Sequence, residues 1–177
     1  MSPRPTEDEK QRLRDAAPLH VFRFEVEFRQ VALNPGEGAE RSRAQSGGSP
    51  VRLCGGSFSE CTGLEGTMEP KVIKEGGRNY GALQRMGPIT FATVVLKRGI
   101  TRNRDLFHWF NLVGQGAYAY RLNARIRMLD SAGQPVLTWL LDRAVPVKFK
   151  AADLNARGTE VGVEELHIAH EGLRLGT

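Results

Sequence analysis

The sequence predicts a mainly β protein, an antiparallel sandwich or barrel carrying one α-helix, and three observations lead to that class. Two segments alternate apolar and polar residues with a strict period of two, the spacing of half-buried strands. Extended segments follow one another through turn residues, with no strand–helix–strand rhythm that would imply a parallel sheet. Only one stretch shows helical spacing of its apolar residues.

The chain has 177 residues, a length for one domain with modest decoration. Residues 1–18 mix both charge signs and offer little beyond Leu13 to bury, so they read as a flexible arm. The pattern then changes. Within His20–Arg29, Phe22, Phe24, Val26 and Phe28 alternate with Arg23, Glu25, Glu27 and Arg29, which predicts a strand with one apolar face. The 34–50 segment has no large apolar residue and reads as a flexible inserted loop. Strands are expected at Leu53–Cys61 and Leu64–Lys74, with Gly63 as the turn between them. Glu75–Pro88 carries four glycines and a proline, which predicts a break in regular structure.

Thr90–Arg98 is rich in β-branched residues and reads as a central strand. The helix is expected over Arg104–Val113, capped by Asn103, with Asp105 in its first turn and Gly114 after its end. Leu106, Phe110 and Val113 then share a face that must pack on a sheet. Alternation returns in Tyr120–Leu129, where Leu122, Ala124, Ile126 and Met128 oppose Arg121, Asn123, Arg125 and Arg127. Asp130–Gly133 predicts a hairpin turn into Val136–Leu141, and Val145–Lys150 and Glu160–Ala169 complete seven or eight strands. The domain reading is an arm over 1–18 and one β-barrel domain over 19–177, interrupted at 34–50 and 75–88.

Bulk chemistry excludes several classes. The charged and hydrophobic fractions, 25% and 40%, are those of ordinary globular proteins. No stretch approaches the roughly 18 apolar residues of a membrane helix, and the N-terminus lacks a secretory h-region. Synthesis and folding in the cytoplasm are therefore expected. Cys54 and Cys61 match no zinc or redox spacing and read as small buried thiols.

A search for catalytic chemistry finds no phosphate-binding or dinucleotide loop and no nucleophile elbow. His167 and His170, with Glu165 and Glu171 nearby, have metal-ligand residue types. Three-residue spacing on a strand, however, puts the two histidines on opposite faces. No catalytic, cofactor-binding or metal-binding set is expected, and the chain does not read as an enzyme. The net charge of +5 permits nucleic-acid binding. Arg121, Asn123, Arg125 and Arg127 on one strand face are the candidate, a face that could track phosphates. No aromatic residue interleaves for base stacking, so a solvated or inter-subunit face is the preferred reading.

Three stretches in fixed order carry a resemblance. Gly56–Leu64 (GSFSECTGL) is followed by the Glu75-Gly-Gly77 turn. Ile89–Thr101 (ITFATVVLKRGIT) leads into the helix with Leu106, Phe107 and Trp109. Pro146–Ala169 contains Asp153-Leu-Asn-Ala156 and Glu160 and runs into the closing HIAHEGL. With the Phe22–Phe28 strand, these resemble the tail tube family shared by contractile phage tails and extracellular contractile injection systems, over about residues 20 to 173.

The resemblance implies a barrel of two packed sheets with a helix on its flank, assembled into hexameric rings that stack into a hollow tube. A surrounding sheath would contract to propel that tube, and the partners would be further copies, sheath, and baseplate or hub proteins, with cargo in the lumen as an option. A particle of this kind is an assembly that can be released from the cell. By the same resemblance the 75–88 segment is an extended loop reaching a neighbouring subunit. Tyr80, Leu83 and Met86 would be its apolar anchors and Glu75 and Arg85 its charged partners. The Arg121–Arg127 face would line the lumen or an interface. Lys97, Arg98 and Trp109 would set the strand-to-helix corner, with Trp109 equally readable as core. The arm at 1–18 and the 34–50 loop exceed what a minimal tube protein needs. They leave open a main-tube subunit and a ring that starts the tube at the baseplate.

Overall fold

The computed structural model describes residues 23–30, 50–51, 58–77, 80–118, 120–157 and 159–176. The arm at 1–18, Cys54 and the 34–50 loop, apart from Pro50, lie outside them. Within these residues the chain is a mainly β, antiparallel fold with one flanking helix. Its elements are β1 (Phe24–Gln30), β2 (Pro50–Val51), β3 (Glu60–Thr62), β4 (Gly66–Ile73), β5 (Leu83–Phe91), β6 (Val94–Gly99), α1 (Asp105–Gly114), β7 (Leu122–Leu129), β8 (Pro135–Lys150), β9 (Val163–Ala169) and β10 (Gly172–Gly176).

The strands order as β2-β1-β7-β8-β9-β6-β3, with β10 added to β8 and β4-β5 forming a separate two-stranded sheet. Every pairing is antiparallel. One core gathers Phe28, Leu122, Ala124, Ile126 and Leu141 from one half of the sheet and Val94, Leu96, Leu166 and Ile168 from the other. The sheet therefore folds over itself, and each of these larger side chains contributes roughly 1.5–3 kcal/mol by leaving water. The alternation read from the sequence for β1 and β7 sets which residues point inward.

The fold-over is made by β8, a single strand of 16 residues where the sequence predicts two. Its first part pairs with β7 and β10, its last part with β9. Between them Asp142 and Arg143 stand opposite the single residue Asn123, a bulge that bends the strand. Arg143 takes φ of +51°, and its N–H donates to Asn123 Oδ1 at 3.0 Å. The side chain of Asn123 thus replaces the ladder bond that the bulge removes.

The helix is shifted by one residue from its predicted span. The cap position falls on Arg104 and not on the expected Asn103, and no side chain caps it; Asn103 stands one residue earlier, where its Oδ1 accepts the Asp105 N–H at 3.0 Å. Its buried side chains are Leu106, Trp109 and Val113, with Phe110 only half-buried. Trp109 is thus core, edge-on to Phe28 with ring centroids 5.3 Å apart.

The expected 75–88 loop is corrected. Residues 83–88 belong to β5, paired with β4 from Gly66↔Phe91 to Ile73↔Leu83. The glycine and proline that signalled a break sit at a bulge, where Gly87 and Pro88 face the single residue Glu69. A Cβ on Gly87 would fall 2.6 Å from Glu69 O, and a bulge is where a strand tolerates proline. Thr90–Arg98 is likewise divided, β5 ending at Phe91 and β6 starting at Val94. β10 was not anticipated.

Candidate assembly surfaces

The β4–β5 hairpin stands apart from the rest of the sheet, and every residue of β4 is exposed. Residues paired across a hairpin share a face, so the register separates its side chains cleanly. One face carries Met68, Pro70 and Val72 with Met86 and Ile89; the other carries Lys71 with Arg85 and Ile73 with Leu83. The predicted anchors are therefore split: Met86 lies on the apolar face, Leu83 and Arg85 on the opposite one, and Tyr80, 94% exposed, in the connection with Glu75. Met68, Val72 and Ile89 complete the apolar face and were missed. The alternation of Met68, Pro70 and Val72 against Glu69 and Lys71 was the signal for them. A free two-stranded hairpin is marginal in water, and on one face of this one Met68, Val72, Met86 and Ile89 are all exposed.

Where this hairpin, an arm on the barrel, leaves it, Gly63 takes φ of +84°, and a Cβ there would lie 2.2 Å from Thr93 O. The β3–β4 connection thus passes directly over the β5–β6 connection. His170 lies at the same root, its ring 5.2 Å from Phe91 and its Nδ1 3.0 Å from Gly172 O. Burial holds its pKa below the ordinary imidazole value, opposed by backbone hydrogen bonding to Gly172 and Ala92 and by the Asp142 charge.

The face of Arg121, Asn123, Arg125 and Arg127 is half-buried and its charges are largely matched within the chain. Arg127 Nη2 donates to Glu27 Oε2 at 2.6 Å, and Glu27 also holds Arg29 at 2.9 Å. Arg121 reaches Glu171 at 3.2 Å, and Arg143 reaches the same carboxylate at 2.7 Å. Asn123, Arg125, Arg29, Asp142 and Arg174 line one small pocket, with Asp142 accepting from Arg174 at 2.9 and 2.7 Å. Four strands therefore share a polar face of alternating charge, unlike a uniformly cationic phosphate track.

The other singled-out residues have local roles. Lys97 pairs with Glu60 at 2.9 Å. His167 Nε2 lies 3.5 Å from Glu165, while Glu171 is engaged by the two arginines, so these residues do not converge. Burial pushes the Cys61 thiol up to about 11, which leaves it protonated and unreactive.

Solved structures that share this fold include three chains from contractile injection particles. A chain of the cryo-EM structure of the anti-feeding prophage baseplate, 6-fold symmetrised, aligns with a TM-score of 0.70 at 24% identity, covering 90% of this chain and 96% of that one. A chain of the PVC sheath–tube complex of an extracellular contractile injection system, in its extended state, aligns at 0.69 and 17% identity, covering 94% and 96%. A chain of the PVC sheath/tube terminator in the extended state gives 0.70 and 17%, covering 91% and 98%. A search of curated protein sequences found no match. The sequence profile of the T4-like virus tail tube protein gp19 family matches residues 20–174, from ahead of β1 into β10, and the chain belongs to that family of tail tube proteins.

Proposed function

We propose that this chain is a structural subunit of the inner tube of a contractile injection system or phage-tail-like particle. It forms hexameric rings that stack into a hollow tube, and a contracting sheath propels that tube. Its work is assembly geometry and involves no catalysis. The observation that carries the reading is the exposed amphipathic β4–β5 arm on a barrel of the tail tube family. Such an arm is completed only by another subunit. Tyr80, Leu83 and Met86, with Glu75 and Arg85, belong to this contact, joined by Met68, Val72 and Ile89. The polar face of Arg121, Asn123, Arg125 and Arg127 suits a wet lumen or a polar ring interface. Sheath and baseplate or hub proteins are the remaining partners.

Electron microscopy of the purified full chain tests this: rings or tubes are the expected result. A strictly monomeric barrel at high concentration would overturn it.

A second reading keeps the machine and changes the layer, making the chain a single ring that starts the tube at the baseplate. It is favoured by the 24% identity to a baseplate chain, against 17% to the sheath–tube and terminator chains. Counting copies per particle separates the two: one ring supports the baseplate layer, and hundreds of copies support the main tube. The nucleic-acid reading of the Arg121–Arg127 face loses support from its internal ion pairs. A salt-dependent affinity for DNA or RNA in a filter-binding titration would restore it.

A further inference from the structure

The hairpin and the barrel meet at one titratable side chain. Phe91 ends β5 opposite Gly66, the first residue of β4, and a Cβ on that glycine would stand 3.5 Å from two carbons of the Phe91 ring. The same ring packs on His170, with centroids 5.2 Å apart and planes tilted by 39°. Beyond Phe91 the chain runs through Ala92 and Thr93 into β6, and Ala92 N–H donates to Glu65 O at 3.1 Å. Both strands of the hairpin are thus anchored beside a ring that rests on one imidazole.

His170 is itself tied to the barrel. It occupies the turn from β9 to β10, where its Nδ1 lies 3.0 Å from Gly172 O. In the same turn Glu171 N–H donates to Asp142 O at 2.9 Å, and a Cβ on Gly172 would fall 2.8 Å from Asp142 Oδ2. The turn is therefore seated tightly against the bulge of β8. The charged side chains around it are engaged: Asp142 accepts from Arg174 through both oxygens, and Glu171 holds Arg121 and Arg143. On the hairpin side, Glu65 accepts from Thr67 Oγ1 at 3.5 Å. Asp142 and the backbone at Gly172 and Ala92 favour a protonated ring, but burial outweighs them. Nε2 is shut away from solvent and makes no hydrogen bond of ordinary geometry among the described residues. A proton placed there has to be carried out to water.

We propose that His170 is a pH-sensitive latch on the β4–β5 hairpin: the neutral ring holds Phe91 and fixes the hairpin root, and the protonated ring turns out to solvent and releases it. This is a property of the single subunit, and it goes beyond the reading of the chain as a tube component. Histidine suits the task because its ordinary value near 6.5 puts the change of charge in the mildly acidic range. The sign follows from burial. The hairpin is held at neutral pH and loosens as pH falls below that value. The strands around the apolar core provide a reference that is expected not to respond.

Hydrogen exchange on the full chain, below the concentration at which it assembles, tests the latch, with labelling times scaled to the intrinsic pH dependence of amide exchange. Between about pH 7.5 and pH 5.5, peptides from β4 and β5 are expected to lose protection at least about threefold, while peptides from β7 keep theirs. His170→Gln should remove this difference. His167→Gln, which replaces the ring beside Glu165, should leave it in place. Phe91→Leu keeps the histidine and removes the ring it holds, and its hairpin is expected to be equally mobile at both values. A parent hairpin equally protected at both values, or a loss that persists in His170→Gln, would overturn the latch. So would a pH response in Phe91→Leu as large as the parent's.

Discussion

Arg98 and Glu164 face each other across the β6–β9 pair, Arg98 donating from Nε to Glu164 Oε1, and both are buried. The same guanidinium donates from Nη2 to Asn103 O at 3.1 Å, and Asn103 in turn accepts the Asp105 N–H at the start of α1. One buried ion pair therefore fixes strand register and the entry to the helix together. Removing one partner strands the other charge in the core. Arg98→Met is expected to cost about 3–5 kcal/mol, read by urea unfolding. Arg98→Met with Glu164→Leu should recover most of that loss; a double variant as unstable as the single one would show that the pair itself holds the fold.

Trp109 fills the centre of the core between α1 and β1. Trp109→Ala is expected to destabilise by about 3–5 kcal/mol and Trp109→Phe by less, because phenylalanine leaves a smaller void. Equal costs for the two would mean that ring volume is not what the site requires.

At the arm root, alanine in place of Gly63 meets both the positive φ and the Thr93 carbonyl. Gly63→Ala is expected to cost at least about 2 kcal/mol, measured by thermal or urea unfolding. A variant as stable as the parent would show that this crossing is loosely held.

His170 gives a pH signature. Its folded pKa lies below its unfolded value because burial disfavours the charged ring, so the unfolded chain binds the proton more readily. The stability it contributes is complete above the unfolded value near 6.5 and is lost as pH falls through the lower folded value. The parent is therefore expected to lose stability between about pH 7.5 and pH 5.5 more steeply than His170→Gln. Parallel pH profiles for the two proteins would contradict this.

How much of this was legible in the sequence follows from where each residue is buried. β1 and β7 could be read because one side of each faces the core and the other faces polar partners, so alternation survives intact. The hairpin was half legible: β4 was foreseen as extended, while Gly87 and Pro88 hid β5 by imitating a loop at what is a bulge. β8 was divided in two because its alternation slips at Asp142 and Arg143, and the side chain that repairs the slip, Asn123, lies on another strand. Phe110 and Trp109 were both plausible on the helix face, and the choice between them depended on the position of Phe28, which helical spacing does not contain. Of the candidate assembly surfaces, the 75–88 residues were visible as unexplained apolar side chains in a polar stretch. Met68, Val72 and Ile89 passed as ordinary strand residues, since only the register shows that no core covers them.

The bend in β8 has a mechanical consequence. Because one strand threads both halves of the sheet, a load along it is shared by its hydrogen bonds to β7, β9 and β10 acting in parallel, so that they shear together. The β4–β5 hairpin, pulled from its root, opens one rung at a time. Single-molecule extension from the two ends of β8 is expected to meet a higher rupture force than extension from Gly66 and Phe91. The bent strand thus joins both halves of the sheet into one body that resists load, while the hairpin beside it can open and close by itself.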